Sequence, residues 1–269
     1  MSNLNFEPIV STDILQLVHL QPEGWLDIKP KFEDYINQKY CFPIKLLEKQ
    51  DIVAIGSVIV HEDVAWLGHI IVHPNHRKKG YGKLMTQQLT KIATSKNCTS
   101  IQLIATDLGA PVYESVGFIK DTEYLFFKEI SLPLPQLSNE HIVNYNTIYK
   151  DQMLALDSLV SGENRSCEIE DHLASSCLYV SDGSVLGYYL STLGEGLIIA
   201  IHPTAGKELT EFHLKTKTTL VIPKENIHAL SFLQEHQHHP YASAKRMYLG
   251  QKINVKFEHM FNRIAGNIG

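Results

Sequence analysis

The sequence predicts an α/β (α+β) chain of two similar halves, each built of alternating strands and helices. Three observations carry this reading. The chain has 269 residues, and at about 100–200 residues per domain that length suits two domains or one large one. Strand-like and helix-like hydrophobic periods alternate through residues 1–130. The pattern then breaks at 131–140, SLPLPQLSNE, where prolines, serines and an asparagine make a linker, and a similar alternation restarts over 141–269.

The elements follow in order. Residues 11–20 and 31–39 have a helical period and are separated by the loop Gln21-Pro22-Glu23-Gly24-Trp25. Residues 43–48 and 52–60 read as strands joined by the polar turn Lys49-Gln50-Asp51. Residues 65–73 form the next β-rich run, ended by Pro74. A basic turn carrying Gly80 and Gly82 leads into a helix with Leu84, Met85, Gln88, Leu89, Ile92 and Ala93 on one face. Residues 100–105 are a strand and 110–116 a short helix, with Gly117 at its C-terminal end. Residues 122–130 close the unit as a strand. The second half reads helix, strand, strand, helix, strand. Its Ile199-Ala200-Ile201-His202-Pro203 corresponds to Ile70-Ile71-Val72-His73-Pro74, and Gly187 to Gly56, with Gly-to-Pro spacings of 16 and 18 residues.

Composition narrows the function. The 24 basic and 29 acidic residues leave a net charge of −5, which argues against a nucleic-acid binder. The longest apolar runs, such as 197–201, are far shorter than the ~20 residues of a membrane span. The first residues lack the basic start, apolar run and cleavage site of a signal peptide. A cytoplasmic protein with neither membrane nor nucleic-acid partner is expected, a monomer or a homodimer. Cys41, Cys98, Cys167 and Cys177 form no C-x-x-C pair and no disulfide framework. The run His236-Gln237-His238-His239 lacks the acid or thiolate that would complete a tetrahedral set, so no metal is expected.

The sharpest local signal is a strand, then Pro74, then Arg77-Lys78-Lys79-Gly80-Tyr81-Gly82, then an amphipathic helix. Free N–H groups at a helix N-terminus, glycines that admit a ligand close to the backbone, and fixed cations make an anion cradle fit for a pyrophosphate. The Walker pattern and the G-x-G-x-x-G fingerprint are both absent. Thirty-one residues beyond Gly82 stands Tyr113, in Tyr113-Glu114-Ser115-Val116-Gly117-Phe118. With these two motifs in order, the first 130 residues resemble the GNAT superfamily of acyl-CoA-dependent N-acetyltransferases. Its V-x-P-x-x-R-x-x-G-x-G motif is matched by Val72, Pro74, Arg77, Gly80 and Gly82, and its Y-E-x-x-G-F motif by Tyr113, Glu114, Gly117 and Phe118. The chain is similar to the branch in which a second GNAT-like domain follows, so the resemblance implies two tandem GNAT-like domains, each a mixed, mostly antiparallel sheet flanked by helices.

The resemblance implies direct transfer of an acetyl group from acetyl-CoA to a primary amine, on a small molecule or a protein. It places the thioester beside a splayed strand ending at Val72, bound by the backbone of Ile70, Ile71 and Val72. The pyrophosphate would lie over Arg77, Lys78, Lys79, Gly80, Tyr81, Gly82 and Lys83. Tyr113 would contact the cosubstrate and protonate the leaving thiolate, a role open to a phenol of pKa about 10 against a thiol of about 8.5. For the base that deprotonates the amine, the candidates are Glu62, His69, His73 and water. His69 is the side chain assigned, although strict strand alternation puts His69 and His73 on the face opposite Gly68, Ile70 and Val72. Trp25, Asp27 and Tyr35 are expected to line the acceptor pocket. In the second half the cradle's arginine and paired glycines are missing after Pro203, and Phe232 stands in the position of Tyr113, so that half reads as degenerate. A non-catalytic acyl-CoA-binding or sensing protein is the alternative, since it would share the cradle.

Overall fold

The computed structural model describes residues 4–132 and 140–269; most of the expected linker 131–140 lies outside the described residues. It is a mixed α/β structure with antiparallel-dominant sheets flanked by helices. The chain forms two compact units that interleave in sequence. One comprises Met1–Lys120, Met247–Lys252 and Gly266–Ile268, the other Asp121–Arg246, Ile253–Ala265 and Gly269.

In the first unit β1 (Leu4–Pro8) leads to a 3-10 segment, Ser11–Leu20, and to α1 (Ile28–Asn37). Strands β2 (Cys41–Glu48), β3 (Asp51–His61) and β4 (Val64–Val72) follow as an antiparallel meander. Then come α2 (Tyr81–Ser95), β5 (Ser100–Ala105) and α3 (Ala110–Glu114). The helix start is set by the αL residue Gly80 at φ 84°. The apolar stripe of α2, with Met85, Leu89 and Ala93 fully buried, packs on one face of the sheet against Val58, Ala65 and Leu67. Gly56 lets it approach, since a Cβ there would lie 2.8 Å from Leu89 Cδ1. The 3-10 segment and α1 cover β2 and β3 and bury Leu17, Leu20 and Phe32. Lys45 reaches from β2 to hold Asp13 through two 2.7 Å bonds.

β6 (Ile119–Phe127) passes from the first unit into the second. There β7 (Ile142–Asn144), α4 (Lys150–Ser161), the single turn α5 (Ser166–Ile169), β8 (Ser176–Ser181), β9 (Ser184–Leu190) and β10 (Leu197–Ala200) follow in turn. They are succeeded by α6 (Pro203–Leu214), β11 (Leu220–Pro223), α7 (Ile227–Glu235), β12 (Ala242–Gly250) and β13 (Met260–Asn262). One sheet of this unit runs β13-β10-β9-β8-β7, and β11 pairs antiparallel with β6. Its core centres on Ile198, Ala200, Leu209, Phe232 and Phe261. Arg165 is buried and forks onto Asp157 with two 2.9 Å bonds; Tyr188 donates to the same carboxylate. The arginine stays charged, because the carboxylate outweighs the cost of burial.

Two details of the units match locally. Gly187 in β9 lets Leu209 of α6 approach (a Cβ would lie 2.9 Å from its Cδ1), as Gly56 does for Leu89 of α2. His73 Nδ1 accepts the N–H of Asn75 at 3.2 Å, and His202 Nδ1 accepts that of Thr204 at 3.3 Å.

Candidate active site

The site is assembled where β4 leaves its neighbour. β4 pairs in parallel with β5 at Val64, Ala65 and Trp66 only, among the described residues, and then runs on to Val72. Beyond Trp66 its backbone on that side is released from the ladder, which leaves N–H and C=O groups for a ligand.

On its other edge β4 carries a bulge. Ile55 pairs with Ile71 and Ser57 with Gly68, so Gly56 alone opposes His69 and Ile70. His69 takes φ 51°, an αL value costly for a side-chain-bearing residue. The extra residue breaks the alternation expected from sequence. Ala65 and Leu67 face α2, and after the bulge Ile70 and Val72 do so too. Gly68 and His69 both face α1 instead: a Cβ on Gly68 would lie 3.3 Å from Tyr35 Oη, and His69 Nδ1 lies 2.9 Å from that oxygen. The bulge thus corrects the strict-parity placement of Gly68 opposite His69.

His69 sits among aromatic edges, with ring centroids of Tyr35, Phe32 and Trp25 at 5.6, 5.8 and 6.1 Å. Burial, and secondarily the Lys31 ammonium, push its pKa down to about 4, so the ring is neutral at pH 7. Trp25 is half exposed beside it, and Tyr35 is buried, its hydroxyl engaged by His69 and by Asn267. Asp27 does not join this group. It caps α1 through the N–H of Lys29 at 3.0 Å and pairs with the Lys29 ammonium at 3.4 Å. Phe32 and Asn267 were not among the expected site residues.

Past β4 the chain makes a 3-10 turn, Pro74–His76, and reaches the start of α2 through Lys78 at φ 63° and Gly80 at φ 84°. No side chain caps α2, so its first N–H groups face outward uncapped. Arg77, Lys78 and Lys83 are exposed, with no ion-pair partner among the described residues. Lys79 is drawn toward Glu48 at 3.8 Å, and His76 Nδ1 lies 3.0 Å from the same carboxylate. The Tyr81 hydroxyl, then Lys79 and His76, hold Glu48 below the usual carboxylate range. Gly80 opens onto free space, and a Cβ on Gly82 would meet only Val72 and Val112 at 3.7 and 3.9 Å. Protein packing therefore leaves room over both glycines, and these residues fit a diphosphate approaching the helix end.

Tyr113, in α3, packs edge-on against Phe118 at 6.2 Å. Its hydroxyl has no hydrogen-bond partner among the described residues. Burial pushes the phenol up to about 12, so it keeps its proton at every physiological pH.

The acetyltransferase (GNAT) family matches residues 12–118, which span the diverging strand, the glycine turn and Tyr113. Residues 12–118 are a GNAT-family domain. Over 92 residues the chain is 29% identical to the glucosamine 6-phosphate N-acetyltransferase of Schizosaccharomyces pombe, covering 32% of this chain and 83% of that protein. A crystal structure of a candidate acetyltransferase from Pyrococcus horikoshii superimposes with a TM-score of 0.83 at 20% identity, over 99% of this chain and 96% of that one. A GCN5-related N-acetyltransferase from Sphaerobacter thermophilus gives a TM-score of 0.64 at 12% identity, over 94% and 98% of the two chains. At these identities the solved structures bear on the fold.

The second unit differs from this GNAT-family domain where the candidate ligand-binding features lie. Its His202-Pro203 leads straight into α6, whereas in the first unit the turn from Asn75 to Gly80 intervenes before α2. A Cβ on Gly206 would lie 2.0 Å from Phe261 Cζ, so a phenyl ring packs directly on that glycine, while Pro203, Thr204 and Lys207 line an open cleft between α6 and α7. No helix among the described residues is long and apolar enough to cross a membrane.

Proposed function

We propose that this chain is an acetyl-CoA-dependent N-acetyltransferase with one active site, in the first unit. The observation that carries the reading is the pairing of an uncapped, glycine-opened helix start with a strand that separates from its neighbour. Arg77, Lys78 and Lys83, with the first N–H groups of α2, hold the diphosphate. The released backbone of Ile70, Ile71 and Val72 orients the pantetheine and aims an N–H at the thioester oxygen, a contact that strengthens as negative charge grows there. Tyr113 offers its proton to the departing sulfur. A phenol at about 12 does not ionise beforehand; it gives up its proton only where full negative charge develops beside it.

The acceptor is a primary amine, entering from the side of Trp25, Tyr35 and His69. The similarity to a glucosamine 6-phosphate N-acetyltransferase favours a small polar amine over a protein N-terminus. The second unit serves a structural role, since among the described residues it lacks the glycine turn that precedes α2 and carries Glu208 where that turn carries cations. The test is thiol release from acetyl-CoA across amine classes, including amino sugars, amino acids and polyamines. Acetyl-CoA binding without turnover of any amine would favour the acyl-CoA sensor instead.

A further inference from the structure

Asn267 lies 232 residues from Tyr35 in sequence, yet its Nδ2 donates to the Tyr35 hydroxyl oxygen at 2.8 Å. That oxygen is 2.9 Å from His69 Nδ1. Tyr35 and Asn267 are both buried, at 2% and 7% exposure, inside the first unit. Residue 68 makes the approach possible, because a Cβ on Gly68 would lie 2.7 Å from Asn267 Cβ. The bulge at His69 turns the imidazole to the same side. Three separate irregularities, a glycine, a bulge and a returning segment, thus converge on one imidazole nitrogen.

The chemistry of the three groups gives the line a direction. An amide nitrogen only donates. With that donor on its oxygen, the Tyr35 hydroxyl has its single proton to give, and Nδ1 is an acceptor at hydrogen-bond distance. A neutral imidazole accepting at Nδ1 carries its hydrogen on Nε2. We propose that Asn267 is a positioning residue that, through Tyr35, fixes neutral His69 as the Nε2–H tautomer, a hydrogen-bond donor toward the acceptor substrate. In that form His69 orients an oxygen of the acceptor and does not take the amine's proton, which passes to water. The site then selects amines that bear a hydroxyl, carboxylate or carbonyl near the nucleophile. The low basicity of the ring and the Lys31 ammonium 5.2 Å over the Tyr35 ring agree with a neutral donor.

This inference rests on the proposed acetyltransferase reading for its consequence, while its test is independent of turnover. The test is 15N NMR of the imidazoles, with the His69 signals assigned by their loss in His69→Gln. The expected wild-type pattern at pH 7 is a protonated, pyrrole-like Nε2 and a pyridine-like Nδ1. Asn267→Asp replaces the donor by a carboxylate that accepts the Tyr35 proton, so Nδ1–H donates to Tyr35 and the two signals exchange character. Tyr35→Phe removes the hydrogen bond at Nδ1 and shifts that signal while leaving acetyl-CoA-induced thermal stabilisation in place. A wild-type Nδ1–H tautomer, or an Asn267→Asp spectrum unchanged in tautomer, overturns the proposal. Should Asn267→Asp not fold, an unchanged Nδ1 signal in Tyr35→Phe overturns it as well. Absence of acetyl-CoA stabilisation in the wild type would instead refute the functional reading and leave the tautomer result standing.

Discussion

The Tyr113 ring rests on Gly109: a Cβ at that position would lie 3.0 Å from Cε2 and 3.6 Å from Cζ. The glycine thus fixes how far the phenol sits down against α3. Tyr113→Phe keeps the ring and removes the proton, and should lower kcat by about 10²-fold or more with acetyl-CoA affinity unchanged. Gly109→Ala leaves the hydroxyl and displaces the ring, and should also lower kcat. Thiol-release kinetics beside acetyl-CoA titrations check both; full turnover in Tyr113→Phe would end the assignment.

Gly82 has room beside it, and under the proposed function that room belongs to the ligand. An alanine there meets only ordinary contacts with Val72 and Val112 and gains helix propensity worth up to about 1 kcal/mol. Gly82→Ala should therefore melt at or above the wild-type temperature. Its affinity for acetyl-CoA should fall by about tenfold or more, equal to about 1.4 kcal/mol. Thermal melts with and without acetyl-CoA report both effects, and undiminished stabilisation by the ligand would contradict the placement of the cradle.

His69 supplies a pH test. Its folded pKa is about 4, below the value of about 6.5 expected unfolded. As pH falls below 6.5 the unfolded state binds a proton that the folded state refuses, so stability is lost progressively down to about pH 4. Between pH 7 and 5 the loss from this group is on the order of 2 kcal/mol. Against wild type, His69→Gln should show a correspondingly smaller fall over that range. Urea unfolding followed by Trp25 and Trp66, both in the first unit, measures it; equal falls in the two proteins would mean that the imidazole is not held neutral.

The missing glycine turn before α6 predicts one acetyl-CoA per chain by calorimetric titration. Gly206→Ala, which drives a Cβ into Phe261 at 2.0 Å, should destabilise the protein while leaving that stoichiometry at one. A second equivalent bound would contradict the structural role given to this unit.

Local chemistry was legible in the sequence. Residues 100–105 read as a strand and are β5, and the face carrying Met85 and Leu89 is the buried face of α2. The turn at Gly80 and Gly82 stood out because glycines and cations adjoin a helical period, and it does lead into α2. The bulge at His69 was not, because it depends on what Gly56 opposes across the strand pair, and no local residue type signals it. Asn267 left no trace near Tyr35 because their hydrogen bond joins distant parts of the chain. Asp27 suits a pocket by position, but its short carboxylate satisfies the nearest helix end first.

Strand β5 gains its outer neighbour from the stretch Met247–Lys252, where Gln251 donates to Thr99 at 2.9 Å and Ser100 Oγ to the Gln251 carbonyl at 2.6 Å. On the ribosome, β5 is made well over a hundred residues before that partner. For that interval it presents an open edge, the kind of surface that recruits other chains. Late closure also means long-range pairing, which slows folding. The first unit therefore completes late: translation must pass residue 252 before β5, in the sheet that carries the candidate site, has its outer neighbour.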